Sequence, residues 1–169
     1  MTRPVVCDAG PLIHLDQLGS LDLLSDFEPL LVPEEVWTEV LRHRPQALPR
    51  PFALAPVRVG TADADSRALT RAFSLDAGET ACLALLADRK GALFLTDDAA
   101  ARLVAGQLGI ETHGTLGLLI RGVRKGTRTP KQILQVLEDL PARCTLHVSQ
   151  KLRTEIIGKL REEWRIPPS

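Results

Sequence analysis

The sequence has no excess of charge of either sign. Its 169 residues include 21 Lys and Arg and 21 Asp and Glu, which gives a formal net charge of zero at pH 7. Proteins that bind nucleic acids non-specifically usually carry a broad basic field, and this composition excludes one. Any contact with a nucleic acid must depend on local basic patches, and two short basic runs occur, in residues 42–50 and 121–131.

Cysteines and long apolar runs are also scarce. The three cysteines are an odd number without CxxC spacing, which argues against a disulfide framework and a zinc knuckle. No apolar stretch reaches the length of a membrane span, and Asp8 comes too early for the apolar region of a signal peptide. Glycine-rich phosphate loops and a nucleophile elbow are absent. We expect a cytoplasmic protein that makes no contact with a membrane.

Short apolar runs alternate with helical stretches along the chain. The runs predict strands at residues 4–7, 30–32, 57–59, 92–95 and 109–112. Helices are predicted at 12–18, from Pro33 onward, at 63–73, 76–86 and 99–108, and after Gly114. The proline-rich stretch 44–56 is expected to be an exposed loop. Strands that alternate with helices form a parallel sheet with helices outside it, so the predicted fold class is α/β with three α/β/α layers.

The pattern changes after residue 125. Glycine, threonine and proline interrupt it at residues 126–130, and two further helices are predicted at 131–140 and 149–161. The length fits a single domain. We predict a core over residues 1–125 and a C-terminal helical extension over residues 126–169, packed on the same domain.

Acidic residues follow the two most apolar strands. Asp8 ends the first strand, and Asp97 and Asp98 end the later one. In open α/β sheets, ligands bind at the carboxyl ends of the strands. Glu39 lies among inward-facing residues of a helix, and Glu79 lies in the first turn of another. Carboxylates gathered in this way raise one another's pKa unless a cation neutralises them, so the set predicts a site for Mg²⁺ or Mn²⁺.

Each acid also has a structural explanation. Asp8, Asp97 and Asp98 could each cap the helix that follows. Glu39 could be an ordinary surface glutamate, and Glu79 stands three residues after Asp76, which is the spacing of a capping box. Only the presence of the whole set favours a metal site over these separate roles.

Five segments resemble PIN domains, and in particular the VapC-like branch of predicted nucleic-acid-binding proteins. They occur in family order across most of the chain, at residues 6–13, 32–40, 76–81, 95–102 and 114–119. No single segment is specific, but the set is. The resemblance implies a PIN-like fold with a central parallel sheet and nuclease activity.

The resemblance also implies a set of site residues. Asp8, Glu39, Glu79 and Asp98 would be catalytic. The metal ligands would come from Asp8, Glu79, Asp97 and Asp98. Asp98 is preferred over Asp97 because many family members carry the acid second after a threonine, although Asp97 stays open. The implied reaction is hydrolysis of an RNA phosphodiester by a metal-activated water, which would make the protein an endoribonuclease.

Substrate and partner expectations follow from the same resemblance. Thr96 is predicted to position a phosphate or a water molecule, and the alternative is an ordinary threonine at a strand end. Arg102, Arg121 and Arg124 are predicted to line an RNA path, because phosphates need cations beside an acidic site, and the alternative is a solvated basic face. The protein is expected to form a homodimer and to be the toxin of a toxin–antitoxin pair, inhibited by a small antitoxin protein. The alternative is a catalytically weak PIN-fold module that binds RNA or a partner. The presence of all the family acids favours the enzyme.

Overall fold

A computed structural model describes residues 3–48, 56–60 and 64–167. Five short strands form one sheet in which every pairing is parallel. The strands are β1 (Val5–Cys7), β2 (Leu30–Pro33), β3 (Pro56–Val57), β4 (Leu93–Leu95) and β5 (Glu111–His113). Their order in the sheet is β3-β2-β1-β4-β5. The predicted parallel sheet is therefore confirmed.

Helices cover the sheet. The α-helices of the described residues are α1 (Ala9–Gln17), α2 (Glu34–His43), α3 (Ala64–Ala72), α4 (Ala77–Ala87), α5 (Ala99–Gln107), α6 (Thr115–Arg124), α7 (Pro130–Arg143) and α8 (Gln150–Glu163). Short 3₁₀ helices lie at Leu21–Leu24 and Pro45–Ala47. Every residue of β1 and β4 is buried, as expected for parallel strands with helices on both faces. The α/β/α fold class is confirmed.

Several predicted boundaries are wrong for local reasons. Helix α1 begins at Ala9, three residues earlier than predicted. Pro33 ends β2 and is the N-cap of α2, so it precedes the helix and does not open it. Strand β5 begins at Glu111 because Gly109, with φ +69°, still belongs to the turn that ends α5. Of the predicted proline-rich loop, residues 49–55 lie outside the described residues, as does residue 63 of the predicted third helix.

The two C-terminal helices pack on the same core as the sheet. Ile133, Leu137 and Leu140 of α7 and Leu160 of α8 are buried in one hydrophobic cluster with the strands β1 and β4. A capping box at Thr129 starts α7. The division at residue 125 stays a prediction. In the described ranges, no helix is both long enough and apolar enough to cross a membrane.

Candidate functional site

Strands β1 and β4 lie side by side and end at the same edge of the sheet. Cys7 pairs with Leu95, so Asp8 and Thr96 follow their strands at the same level. The chain leaves β1 toward β2 on one side and later returns to β4 on the other. Such a reversal of strand order opens a crevice at the carboxyl edge, where α/β proteins bind ligands.

Asp8 is buried at this edge. It stands at the N-cap position of α1, but its side chain makes no capping hydrogen bond. The hydroxyl of Thr96 donates to Asp8 Oδ2 over 3.2 Å. Burial raises the pKa of Asp8 to about 7, and the charges of Glu79 and Asp76 add to this effect against hydrogen bonds from Ala9 and Thr96. The capping explanation therefore does not account for Asp8.

Glu79 and Asp76 form the capping box that the sequence predicts. The Glu79 N–H donates to Asp76 Oδ1 over 2.8 Å, and the Asp76 N–H donates to Glu79 Oε2 over 2.9 Å. Burial nevertheless raises the pKa of Glu79 to about 7, with further contributions from the charges of Asp76, Asp98 and Glu39. Glu79 thus takes part in the capping box of α4, whose N-cap is Asp76, and also belongs to an acidic group.

Asp76 was not among the predicted site residues. Its charge contributes to the raised pKa of Asp8, of Glu39 and of Glu79. The capping box was the available signal, because an N-cap side chain lies beside the side chain three residues later. Asp76 is exposed, and it extends the acidic group toward solvent.

Glu39 reaches the same group from α2. An added Cβ at Gly78 would come 3.2 Å from Val36 Cγ2 and 3.4 Å from Glu39 Oε2, so the glycine lets α2 and the start of α4 approach closely. Burial raises the pKa of Glu39, and the charge of Asp76 adds to it. A cavity of about 580 Å³ opens between the two helices, with Glu39 and Asp76 in its lining.

Asp98 completes the group from the end of β4. Its N–H donates to Thr96 Oγ1 over 3.2 Å, and its Oδ1 accepts a 2.7 Å bond from the Ala101 N–H at the start of α5. The charge of Asp98 contributes to the raised pKa of Glu79. The capping explanation is therefore correct for Asp98, but this residue also interacts with the other acids.

Asp97 lies in different surroundings from Asp98. His14 Nδ1 is 2.7 Å from Asp97 Oδ2, and the Thr115 hydroxyl and N–H donate to Oδ2 and Oδ1 over 2.6 and 2.7 Å. Burial alone would raise the pKa of Asp97, but the hydrogen bonds from His14 and Thr115 hold it below its usual value. Sequence reasoning missed His14 and Thr115 as partners, because no local motif links them to Asp97.

The predicted RNA contacts have separate locations. Thr96 is fully buried and bonded to Asp8 and Asp98. Arg102 is exposed on α5, and its Nη1 lies 2.9 Å from where a Cβ of Gly114 would stand. The two remaining arginines lie on α6: Arg121, paired with Asp26 through bonds of 2.9 and 2.5 Å, and Arg124, exposed at the helix end. Arg102 thus lies beside the end of β4, because the same added Cβ would also meet Asp97 Oδ1 and the Thr96 carbonyl oxygen.

The acidic group fits a divalent cation by its chemistry. Its carboxylate oxygens are the hard ligands that Mg²⁺ and Mn²⁺ prefer. Raised pKa values caused by burial and like charges mark carboxylates that a cation would stabilise. In residues 3–48, 56–60 and 64–167, no three Asp, Glu, His or Cys side chains are already arranged to hold one ion. Binding therefore requires side-chain rotations, and Glu79 and Asp98 each keep one carboxylate oxygen outside their capping bonds.

A family model described as a PIN domain matches residues 4–162. The chain therefore belongs to the PIN domain family, and the match includes α7 and nearly all of α8. PIN domains are in general nucleases that act on nucleic acids with divalent metals. No curated protein matches the chain, and neither does any solved structure.

Proposed function

We propose that this protein is a divalent-metal-dependent endoribonuclease of the VapC-like branch of PIN domains. The observation that supports this most strongly is the group of mutually repelling carboxylates at the carboxyl edge of β1 and β4. Burial raises the pKa of both Asp8 and Glu79 to about 7. Asp8 is buried and Glu79 is partly buried, and acids with perturbed pKa values in a crevice favour a functional site over a purely structural one.

The proposed ligands of Mg²⁺ or Mn²⁺ are Asp8, Glu39, Glu79 and Asp98. Glu79 interacts electrostatically with the other three acids, and the Thr96 hydroxyl donates to the carboxylate of Asp8. A bound divalent ion would activate a water molecule for attack on an RNA phosphodiester and neutralise charge on the leaving oxygen. We leave Asp97 out of the ligand set because its oxygens already lie in three hydrogen bonds.

Arg102 is the proposed phosphate contact. It is exposed on α5, the helix that Asp98 caps, so its charge can offset repulsion between RNA and the acids. A contact between RNA and Arg121 would compete with the pair to Asp26. The contacts of Thr96 and Arg124 with RNA stay predictions, as do the small antitoxin, the homodimer and the cytoplasmic location.

Cleavage of single-stranded and structured RNA by the full-length protein tests this function. The assay is run with Mn²⁺, with Mg²⁺ and with EDTA, and it compares Asp8→Asn with Asp88→Asn, a matched change at an exposed aspartate after α4. We expect cutting that depends on the metal and full activity in Asp88→Asn. Asp8→Asn should lose about 10²-fold or more, since loss of a group that only supports a metal ligand already costs up to about 10²-fold. Equal cutting by wild type and Asp8→Asn would contradict the proposal.

The alternative function is RNA or partner binding with little catalysis. One observation favours it: the carboxylates of Glu79 and Asp98 are engaged as helix caps, and no three ligand side chains are preassembled in the described part of the chain. If the wild type binds Mn²⁺ and RNA but cuts none of the RNAs, the binding module becomes the better description. Binding that is unchanged in Asp8→Asn would strengthen that conclusion.

A further inference from the structure

The carboxylate of Asp97 joins three separate elements next to the acidic group. His14 comes from α1, Asp97 follows β4, and Thr115 is the first residue of α6. We propose that His14, Asp97 and Thr115 form a positioning clamp that holds the end of β4 in the place where Thr96 bonds to both Asp8 and Asp98. The catalytic role of the clamp rests on the proposed function. In this proposal, Asp97 is a positioning residue that does not bind the ion.

The hydrogen bonds of the clamp are short and sheltered from solvent. Asp97 Oδ2 lies 2.7 Å from His14 Nδ1 and 2.6 Å from Thr115 Oγ1, and Oδ1 lies 2.7 Å from the Thr115 N–H. The side chains of His14 and Asp97 are 14% and 11% exposed, and Thr115 is fully buried. An ionised carboxylate only accepts hydrogen bonds, so Nδ1 of His14 carries the hydrogen in this contact. Asp97 cannot turn toward an ion without breaking these bonds.

The backbone at the strand end couples the clamp to the acidic group. In extended chain, successive side chains point to opposite sides. The contacts follow this rule, because Thr96 bonds to Asp8 and Asp98 while Asp97 bonds to His14 and Thr115. Fixing Asp97 on one side therefore limits the positions available to its two neighbours on the other side.

Gly114 lets the third part of the clamp come close enough. An added Cβ at this residue would lie 2.7 Å from Asp97 Oδ1 and 3.3 Å from the Thr96 carbonyl oxygen. Only glycine allows this approach without a shift of the Asp97 carboxylate and the Arg102 guanidinium. The start of α6 is thereby placed directly against the carboxylate that it holds.

The C-terminal extension contacts the helix that carries His14. Cys144 Sγ donates to the His14 carbonyl oxygen over 3.9 Å, and Gln17 Oε1 accepts bonds of 2.9 and 3.0 Å from the N–H and hydroxyl of Thr145. These contacts hold the last turns of α1, the helix that carries His14. The extension therefore has a structural connection to the acidic group through α1 and Asp97.

Mn²⁺ titration of the full-length protein tests the clamp without depending on RNA cleavage. The variants are Asp97→Asn and His14→Ala, compared with Asp8→Asn and with the control Asp88→Asn. For the two clamp variants, we expect wild-type Mn²⁺ stoichiometry at saturation, with binding weakened about 10- to 100-fold, as is typical when a group that orients a ligand is lost. Where RNA is cut, kcat should fall while KM for RNA changes little.

A rescue variant separates positioning from general stability. The amide of His14→Asn can donate to Asp97 from near the place of Nδ1, so this variant should recover most of the Mn²⁺ affinity that His14→Ala loses. If Asp97→Asn does not fold, the comparison of His14→Asn with His14→Ala still tests the proposal.

Loss of Mn²⁺ binding in Asp97→Asn as complete as in Asp8→Asn would overturn the proposal, because Asp97 would then be a ligand. Unchanged Mn²⁺ affinity in His14→Ala with only a lower melting temperature would overturn it as well. If the wild type binds Mn²⁺ but cuts no RNA, the proposed nuclease activity is refuted. The Mn²⁺ affinities of the variants still test the clamp in that case.

Discussion

Asp8 and Asp97 are both largely buried at the carboxyl edge of the sheet, but their pKa values shift in opposite directions. Burial raises the pKa of Asp8 to about 7, and the 3.2 Å bond from Thr96 only partly opposes the shift. Asp97 is also buried, but the hydrogen bonds from His14 and Thr115 outweigh burial and hold its pKa below the usual value. The two carboxylates differ in their partners more than in their exposure.

The difference shows how to separate structural acids from available ones in this fold. A carboxylate with enough donors is stable as an anion and holds neighbouring elements together, as Asp97 does. A carboxylate with too few donors and several acidic neighbours is unstable as an anion, and a proton or a cation stabilises it. Asp8 and Glu79 belong to this second kind, which is the reason for placing them in the candidate metal centre.

The largest expected effect concerns the stability of the metal-free protein at different pH values. The pKa of Asp8 is about 7 in the folded protein and about 4 in an unfolded chain, so between these values the folded state holds more protons. The free energy of unfolding should therefore fall as pH rises from about 4 to about 7 and then level off. A three-unit shift corresponds to about 4 kcal/mol as an upper bound, and Glu79 acts in the same direction.

Urea unfolding in EDTA between about pH 5 and pH 8 measures this dependence. Asp8→Asn removes one of the two ionisations and should make the curve clearly shallower, with the remaining slope due to Glu79. Mn²⁺ at the upper pH should restore stability to the wild type by binding the folded state. An Asp97→Asn curve as flat as that of Asp8→Asn would remove the contrast between the two residues.

A smaller effect is expected when the approach of α6 to Asp97 is blocked. Gly114→Ala places a methyl group 2.7 Å from Asp97 Oδ1 and 2.9 Å from Arg102 Nη1, and overpacking of this kind costs about 1–3 kcal/mol. The matched control is Gly158→Ala in α8, where nothing lies within 4 Å of the new Cβ. That change should stabilise the helix by about 0.5–1 kcal/mol. Equal thermal stability of the two variants would show that the close contact at Gly114 is relieved without cost.

The sequence was sufficient for the sheet and for the acids at its edge. Apolar runs such as the one before Thr96 marked the buried strands, and the spacing of Asp76 and Glu79 marked a capping box that the structure confirms. These signals are local, since periodicity and capping depend on residues a few positions apart. The ends of the strands were harder to predict, because a one-residue change decides whether Asp97 or Asp98 lies with Glu79 in the acidic group.

The partners of these residues could not be predicted in the same way. Asp97 is 83 residues from His14 and 18 from Thr115 in the chain, and no motif connects them. The effect of Asp76 on the pKa of Glu39 likewise depends on the packing of α2 against α4. Arg121 stands in a basic run that suggested RNA binding, but in the folded chain it pairs with Asp26, 95 residues away.

The smallest expected effect concerns Asp26, a carboxylate at the surface that has charged partners and can be compared with the buried Asp97. Hydrogen bonds from Arg121 and Lys125 lower the pKa of Asp26 to about 2, and the Arg121 guanidinium also lies 4.4 Å from the centre of the Phe27 ring. Arg121→Met keeps the apolar stem but removes the charge. It should cost about 1 kcal/mol of unfolding free energy, since exposed ion pairs and cation–π contacts are each weak.

Arg124→Met is the matched control, because Arg124 is exposed at the end of the same helix. Urea unfolding should show a loss of stability for Arg121→Met and almost none for Arg124→Met. RNA cleavage should be unchanged in Arg121→Met if the pair with Asp26 is structural. If Arg121→Met unfolds like the wild type but binds RNA more weakly, Arg121 contacts the RNA. Asp26 and the RNA would then share Arg121 as a partner.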